Sequence, residues 1–154
     1  MQNFNSKITK FISIMGLVTL LSLITVGCSN KQNSTSQSNK ISIVTTTNVY
    51  SDIAKNIVGK YGTATAIIDK SSVDPHDFDP TTADAKKVAQ ANIIVANGLG
   101  YDSWMNKLAK SVDKKPVLVG EDLMGLKSGD NPHIWYNLDM PTKYVEYLVK
   151  RLSK

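Results

Sequence analysis

An α/β fold, with a parallel four-stranded sheet wrapped by helices, is what this sequence predicts, and three observations predict it. Four β-branched or apolar runs alternate with four helical patterns along residues 40–154. No hairpin signal joins one run to the next, so each pair of successive strands is expected to be linked by a crossover helix, as parallel pairing requires. The stretch that carries this alternation has room for one small domain with a real core, and not for two.

Residues 41–46 read Ile-Ser-Ile-Val-Thr-Thr, which predicts a buried strand. Thr47 or Asn48 can cap a helix whose apolar positions Val49, Ile53 and Ile57 recur every four residues, closing near Gly59. A second strand over 63–68 delivers the chain into the loop Val73-Asp74-Pro75-His76-Asp77-Phe78-Asp79-Pro80. Beyond it, Thr81-Thr82-Ala83-Asp84 has the spacing of a capping box and starts a helix running to about Gln90. Residues 92–96 form a third strand, stopped by the turn signal Asn97-Gly98-Leu99-Gly100. Tyr101, Trp104, Met105, Leu108 and Val112 then mark one face of a helix, and Trp104 reads as a core residue on that stripe. A fourth strand covers 116–119, and the glycine-bearing stretch after it is a loop ending at Pro132-His133. Pro141 opens the last helix, with Tyr144, Val145, Leu148 and Leu152 on one side and a Glu146 to Lys150 pair on the other.

Ahead of this body, Lys7 and Lys10 precede an apolar run from Phe11 to Val26 and then Gly27-Cys28, the tripartite form of a secretory signal. Gly27-Cys28 resembles the bacterial lipobox, with Thr25 where a leucine is usual, so residues 1–27 are expected to be a signal peptide and Cys28 the lipidated first residue. Residues 28–39 hold almost no apolar side chain and read as a disordered tether. The expected address is extracytoplasmic, lipid-anchored at the membrane of a bacterium of Gram-positive type. The chain carries 18 basic and 13 acidic residues. Two of the basic ones leave with the signal, and the rest are scattered without aromatic interleaving, which argues against nucleic-acid binding.

The sequence has two histidines, His76 and His133. Each follows a proline whose fixed φ stiffens the loop, and each falls in a segment after a strand's carboxyl end, where parallel sheets bind ligands. Asn97, at the end of the third strand, belongs to the same rim. Neutral imidazole is a common ligand for borderline metals, so a metal site shared by His76 and His133 is expected. Because Cys28 is the only cysteine, the body offers no thiolate, and all ligands must be nitrogen or oxygen. Asp74 and Asp77 are expected to orient the His76 imidazole as acceptors, and Asp79 to favour the positive end of the next helix. Such a donor set suits Zn2+ or Mn2+, with the affinity order favouring zinc.

The loop Asp74-Pro75-His76-Asp77-Phe78-Asp79-Pro80, the turn Asn97-Gly98-Leu99-Gly100 followed by Trp104, and Asn131-Pro132-His133-Ile134-Trp135 occur in that order. Together they resemble the motifs of the zinc- and manganese-type solute-binding lipoproteins of ABC importers. The resemblance implies that His76 and His133 are ligands in the amino-terminal lobe of a two-lobed solute-binding protein, with Trp135 packed nearby in no ligand role. It further implies a monomer that carries Zn2+ or Mn2+ as cargo, is held to the membrane through Cys28, and has an ABC permease as partner. The lack of a histidine-rich loop leans toward manganese by the same resemblance.

Two departures stand out. Asn137-Leu138 occupies a place where the family commonly has Asp-Pro. The family's second lobe, which follows a long linking helix and supplies the remaining ligands, a carboxylate among them, has no counterpart up to Lys154. Residues 40–140 are thus expected to be the metal-binding lobe, and 141–154 the truncated start of the linking helix. Such a helix would leave an unsatisfied apolar stripe at Tyr144, Leu148 and Leu152 without the second lobe. Other readings are a surface adhesion lipoprotein with incidental histidines and an inactive truncated half-receptor that holds metal weakly. A zinc hydrolase would need a third ligand and a base in a compact set such as His-Glu-x-x-His, which is missing, so no enzyme is expected.

Overall fold

The computed structural model describes residues 40–154. The expected signal, Cys28 and the tether lie outside the described residues. In chain order the elements are β1 (Ile41–Thr47), α1 (Asn48–Val58), β2 (Gly62–Ile68), α2 (Thr82–Gln90), β3 (Ile93–Ala96), α3 (Ser103–Ser111), β4 (Val117–Leu118) and α4 (Asp139–Leu152). The four strands form one sheet in the order β2-β1-β3-β4, and every pairing is parallel. The chain moves outward from β1 to β2, then crosses back to place β3 on the other side of β1. The carboxyl ends of β1 and β3 therefore border the point where the winding reverses, and there the crevice of an open parallel sheet lies.

Both faces of the sheet are covered, because neighbouring strand residues point to opposite sides. On one side Ile43, Ile93 and Val95 pack with Tyr50, Ala54 and Val58 of α1 and with Met140, Tyr144 and Leu148 of α4. On the other, Val44, Ile94 and Ala96 pack with Val88 of α2 and with Trp104, Met105, Leu108 and Ala109 of α3. Each fully buried large side chain in these layers contributes about 1.5–3 kcal/mol relative to exposure.

The capping box forms as its spacing predicts. The Thr81 hydroxyl accepts from the Asp84 N–H, and the Asp84 carboxylate accepts from the Thr81 N–H at 3.0 Å. Thr81→Ala is expected to cost about 1 kcal/mol in a denaturant melt, the usual loss for an N-cap.

Four local expectations are corrected. In α1 the buried face is Tyr50, Ala54 and Val58, one position on from the expected stripe, and Val49 is exposed. Small Ala54 lets the helix approach the sheet, and the Tyr50 hydroxyl finds a buried acceptor, while Ile53 and Ile57 pack only at the flank. The last helix begins two residues before Pro141, which sits in its first turn where a backbone N–H has no helical partner anyway. Its apolar stripe is not left open: Tyr144 and Leu148 are fully buried within this domain, and Leu152 is half-buried. The Tyr144 ring meets Tyr50 edge-on, with centroids 5.6 Å apart. The two ion pairs among the described residues are Lys55 with Asp52 and Lys87 with Asp84, and Glu146 is in neither.

Candidate metal centre

Both histidines sit at the end of the same local device. Asp74 Oδ1 accepts the backbone N–H of His76 at 2.9 Å, and Asn131 Oδ1 accepts that of His133 at 3.0 Å. In each case a proline stands between the Asx residue and the histidine, so an Asx turn closes over a residue whose φ is already fixed. Asp74 thus holds the main chain of His76 and not its ring, which corrects the expected role. Both imidazoles remain exposed, as capture of a dissolved ion requires.

Asn131 does more than close the turn. Its Oδ1 also lies 2.7 Å from His133 Nδ1. A backbone N–H can only donate, so the atom it meets must be the carboxamide oxygen, and Nδ1 facing that oxygen must carry the proton. The lone pair of His133 is therefore on Nε2, free for a metal. Asn131→Ala is expected to weaken Zn2+ binding roughly tenfold, read by competition with a chromophoric chelator, because outer partners that orient ligating imidazoles have effects of that order.

Tyr101 brings the two loops together. Its ring is edge-on to His76 with centroids 4.8 Å apart and to His133 at 6.2 Å, so the imidazoles can be no farther apart than those two spans end to end. Trp135 backs the group, 5.1 Å from Tyr101 and 5.2 Å from His133, and packs without presenting a ligand atom. Burial, and then the negative charges of Asp74 and Asp102, push the Tyr101 hydroxyl above the ordinary phenol range, so it stays a neutral phenol. A cleft of about 430 Å3 opens beside this cluster, walled by Thr47, Asn48, Lys70, Asp74, Tyr101 and Trp135.

Behind the cluster, Asn97 is fully buried at the end of β3. Its Oδ1 accepts from the Tyr50 hydroxyl at 2.6 Å, and its Nδ2 donates to the carbonyl of Pro132 at 3.0 Å. The turn after it is gripped by two carboxylates. Asp102 accepts from the N–H groups of Asn97 and Gly98, and Glu121 from that of Leu99. Burial raises the carboxyl of Asp102, and the N–H donors pull the other way.

The structure brings together His76, His133, Asp74, Asn97 and Trp135 of the residues expected at this site. Asp77 and Asp79 line a second groove together with His76, Ser103 and Lys107, and among the described residues neither accepts a hydrogen bond from the His76 ring. Helix α2 is capped by Thr81 and Asp84. Sequence reasoning missed Tyr101 and Asn131, and it took Trp104 for core alone. The signal for Asn131 was present as an Asx-Pro-His triplet that occurs twice. Among the described residues no group of three or more His, Cys, Asp or Glu is placed to hold a metal ion, so the centre offers two imidazoles.

A metal ABC transporter substrate-binding lipoprotein of Streptococcus sanguinis, SsaB, is 32% identical over 158 residues, covering 93% of this chain and 51% of that protein. The manganese ABC transporter substrate-binding lipoprotein PsaA of Streptococcus pneumoniae is 32% identical over 158 residues, with the same coverage of 93% and 51%. Among solved structures, the Zn(II)-bound ZnuA-like domain of Streptococcus pneumoniae AdcA superposes with a TM-score of 0.61 at 26% identity, covering 74% of this chain and 44% of that one. The chain spans about half the length of the curated relatives it matches. The family described as zinc-uptake complex component A, periplasmic, matches residues 43–154. The chain belongs to that family, whose members bind metal solutes for ABC transporters and are not enzymes.

Proposed function

We propose that this chain is the metal-receiving lobe of an extracytoplasmic receptor that binds Zn2+ or Mn2+ and passes it to an ABC permease. The observation that carries the reading is that His76 and His133 both pack against the Tyr101 ring, at 4.8 Å and 6.2 Å between centroids, at the carboxyl rim of the sheet. Nε2 of His133 is free to ligate, and both rings are open to solvent. Two imidazoles leave a borderline metal short of its usual four ligands. Oxygen donors from a second lobe following α4 would complete the shell, and the open cleft beside Tyr101 gives them an approach. The relatives named for manganese and the structure holding Zn(II) support the same two metals.

In this reading residues 1–27 are a cleaved leader, Cys28 is lipidated, and 28–39 tether a monomeric body to the membrane. Anchoring restricts the receptor to the neighbourhood of its permease while the tether leaves it free to reorient. The testing experiment is calorimetric titration of the full chain with Zn2+ and with Mn2+. One equivalent of metal bound, weakly for an incomplete shell and removable by chelator, is expected. Failure to bind either ion overturns the reading.

A further inference from the structure

The peptide unit that leads into each histidine is held at both of its polar ends. For the Pro75 to His76 unit, the N–H goes to Asp74 Oδ1, and the carbonyl accepts the indole Nε1–H of Trp104 at 2.9 Å. For the Pro132 to His133 unit, the N–H goes to Asn131 Oδ1, and the carbonyl accepts Asn97 Nδ2–H at 3.0 Å. A peptide is planar, so fixing its N–H and its C=O fixes its orientation and with it the direction in which the histidine leaves the chain. The N–H partners are local to each loop. The long-range C=O partners both come from one other segment, which runs from the end of β3 into the first turn of α3, and the Pro132 carbonyl also accepts the Ile134 N–H at 2.8 Å.

That segment is built to keep its own shape. Gly98, Leu99 and Gly100 have φ of 81°, 57° and 83°, three successive left-handed residues held by Asp102 and Glu121. Asn97 is anchored by the Tyr50 hydroxyl and Trp104 by its burial against Phe78, with ring centroids 4.7 Å apart. Tyr101, between the two donors in sequence, is the ring that touches both imidazoles.

We propose that Asn97 and Trp104 are positioning residues that together set the separation and aim of the two imidazoles, so that the segment from the end of β3 into α3, and not the histidine loops alone, determines how well the pair fits a metal ion. This rests on the metal-receptor reading above. Neither residue touches the ion. Each acts through the peptide ahead of a histidine.

The test uses the full chain and three variants. Trp104→Phe removes the indole donor and keeps an aromatic ring. Asn97→Asp keeps shape and the acceptor for Tyr50 but turns the donor into a carboxylate facing the Pro132 carbonyl, and Asn97→Ser serves where that buried charge prevents folding. Amide hydrogen exchange is measured without metal, and Zn2+ affinity by chelator competition. Trp104→Phe is expected to speed exchange at the His76 amide and spare that of His133, and the Asn97 variant to do the reverse. Each is expected to weaken Zn2+ binding about tenfold, the size seen for outer partners of metal ligands. Equal acceleration in both loops would show general loosening and overturn the proposal, as would a folded variant that binds Zn2+ within twofold of the unaltered chain. If the unaltered chain binds no Zn2+ or Mn2+, the receptor reading falls and takes this one with it. Binding by the unaltered chain with equal binding by the variants removes the positioning role alone.

Discussion

Replacing His76 or His133 by alanine is expected to lower Zn2+ affinity by about two orders of magnitude and to leave thermal stability nearly unchanged. The size follows from the roughly 10–16 kcal/mol that structural zinc sites contribute over four ligands, which assigns each about 3 kcal/mol. Stability should hold because both rings are exposed and both Asx turns are closed through backbone N–H groups that alanine retains. Titration calorimetry together with a thermal melt of each variant reads the two effects separately. A loss below about tenfold in both variants would mean that the histidines do not share an ion. A large loss in one variant alone would assign the site to that loop. His133→Ala also leaves Asn131 without its ring partner, so the two replacements need not match in size.

Gly98→Ala is expected to be the most damaging small substitution near the centre, costing about 3 kcal/mol and lowering the melting temperature by about 10 °C. Gly98 has φ of 81°, where an L side chain is strained by about 1 kcal/mol. A Cβ built there would also lie 1.9 Å from Glu121 Oε2. Relief requires the Glu121 carboxylate to move, which breaks its bond to the Leu99 N–H and leaves a half-buried donor without a partner. Gly100→Ala is the matched control. Its φ is 83°, but nothing lies within 4 Å of the added carbon, so only the strain of about 1 kcal/mol should appear. Equal melting temperatures for the two variants would show that the Glu121 contact carries no weight.

The elements most legible in the sequence were those whose cause is local. The capping box at Thr81 and Asp84 was readable because both partners lie three residues apart in one turn of helix. The α3 stripe was readable from its spacing, and Trp104, Met105 and Leu108 are buried as that spacing requires. The α1 stripe was not, since Val49, Ile53 and Ile57 repeat as regularly as Tyr50, Ala54 and Val58. Hydrophobicity favours the first set. Packing chose the second, because a tyrosine can be buried when its hydroxyl has an acceptor, and Asn97 supplies one. The expected open stripe on α4 failed for a related reason, as Tyr144 closes on Tyr50 and donates to its carbonyl at 3.3 Å.

The sequence by itself determined the alternation of strand and helix, the parallel sheet that follows from it, and the placing of two proline-stiffened histidine loops after strand ends. These depend on backbone propensity, side-chain period and turn chemistry, which act over a few residues. Only the tertiary structure decided that His76 and His133 converge on Tyr101, that Asn97 and Trp104 hold the peptides ahead of them, and which face each outer helix buries. The bonds responsible join residues 29, 35, 47 and 94 positions apart. A buried polar group must find a partner wherever packing places one, and no local pattern states where that is.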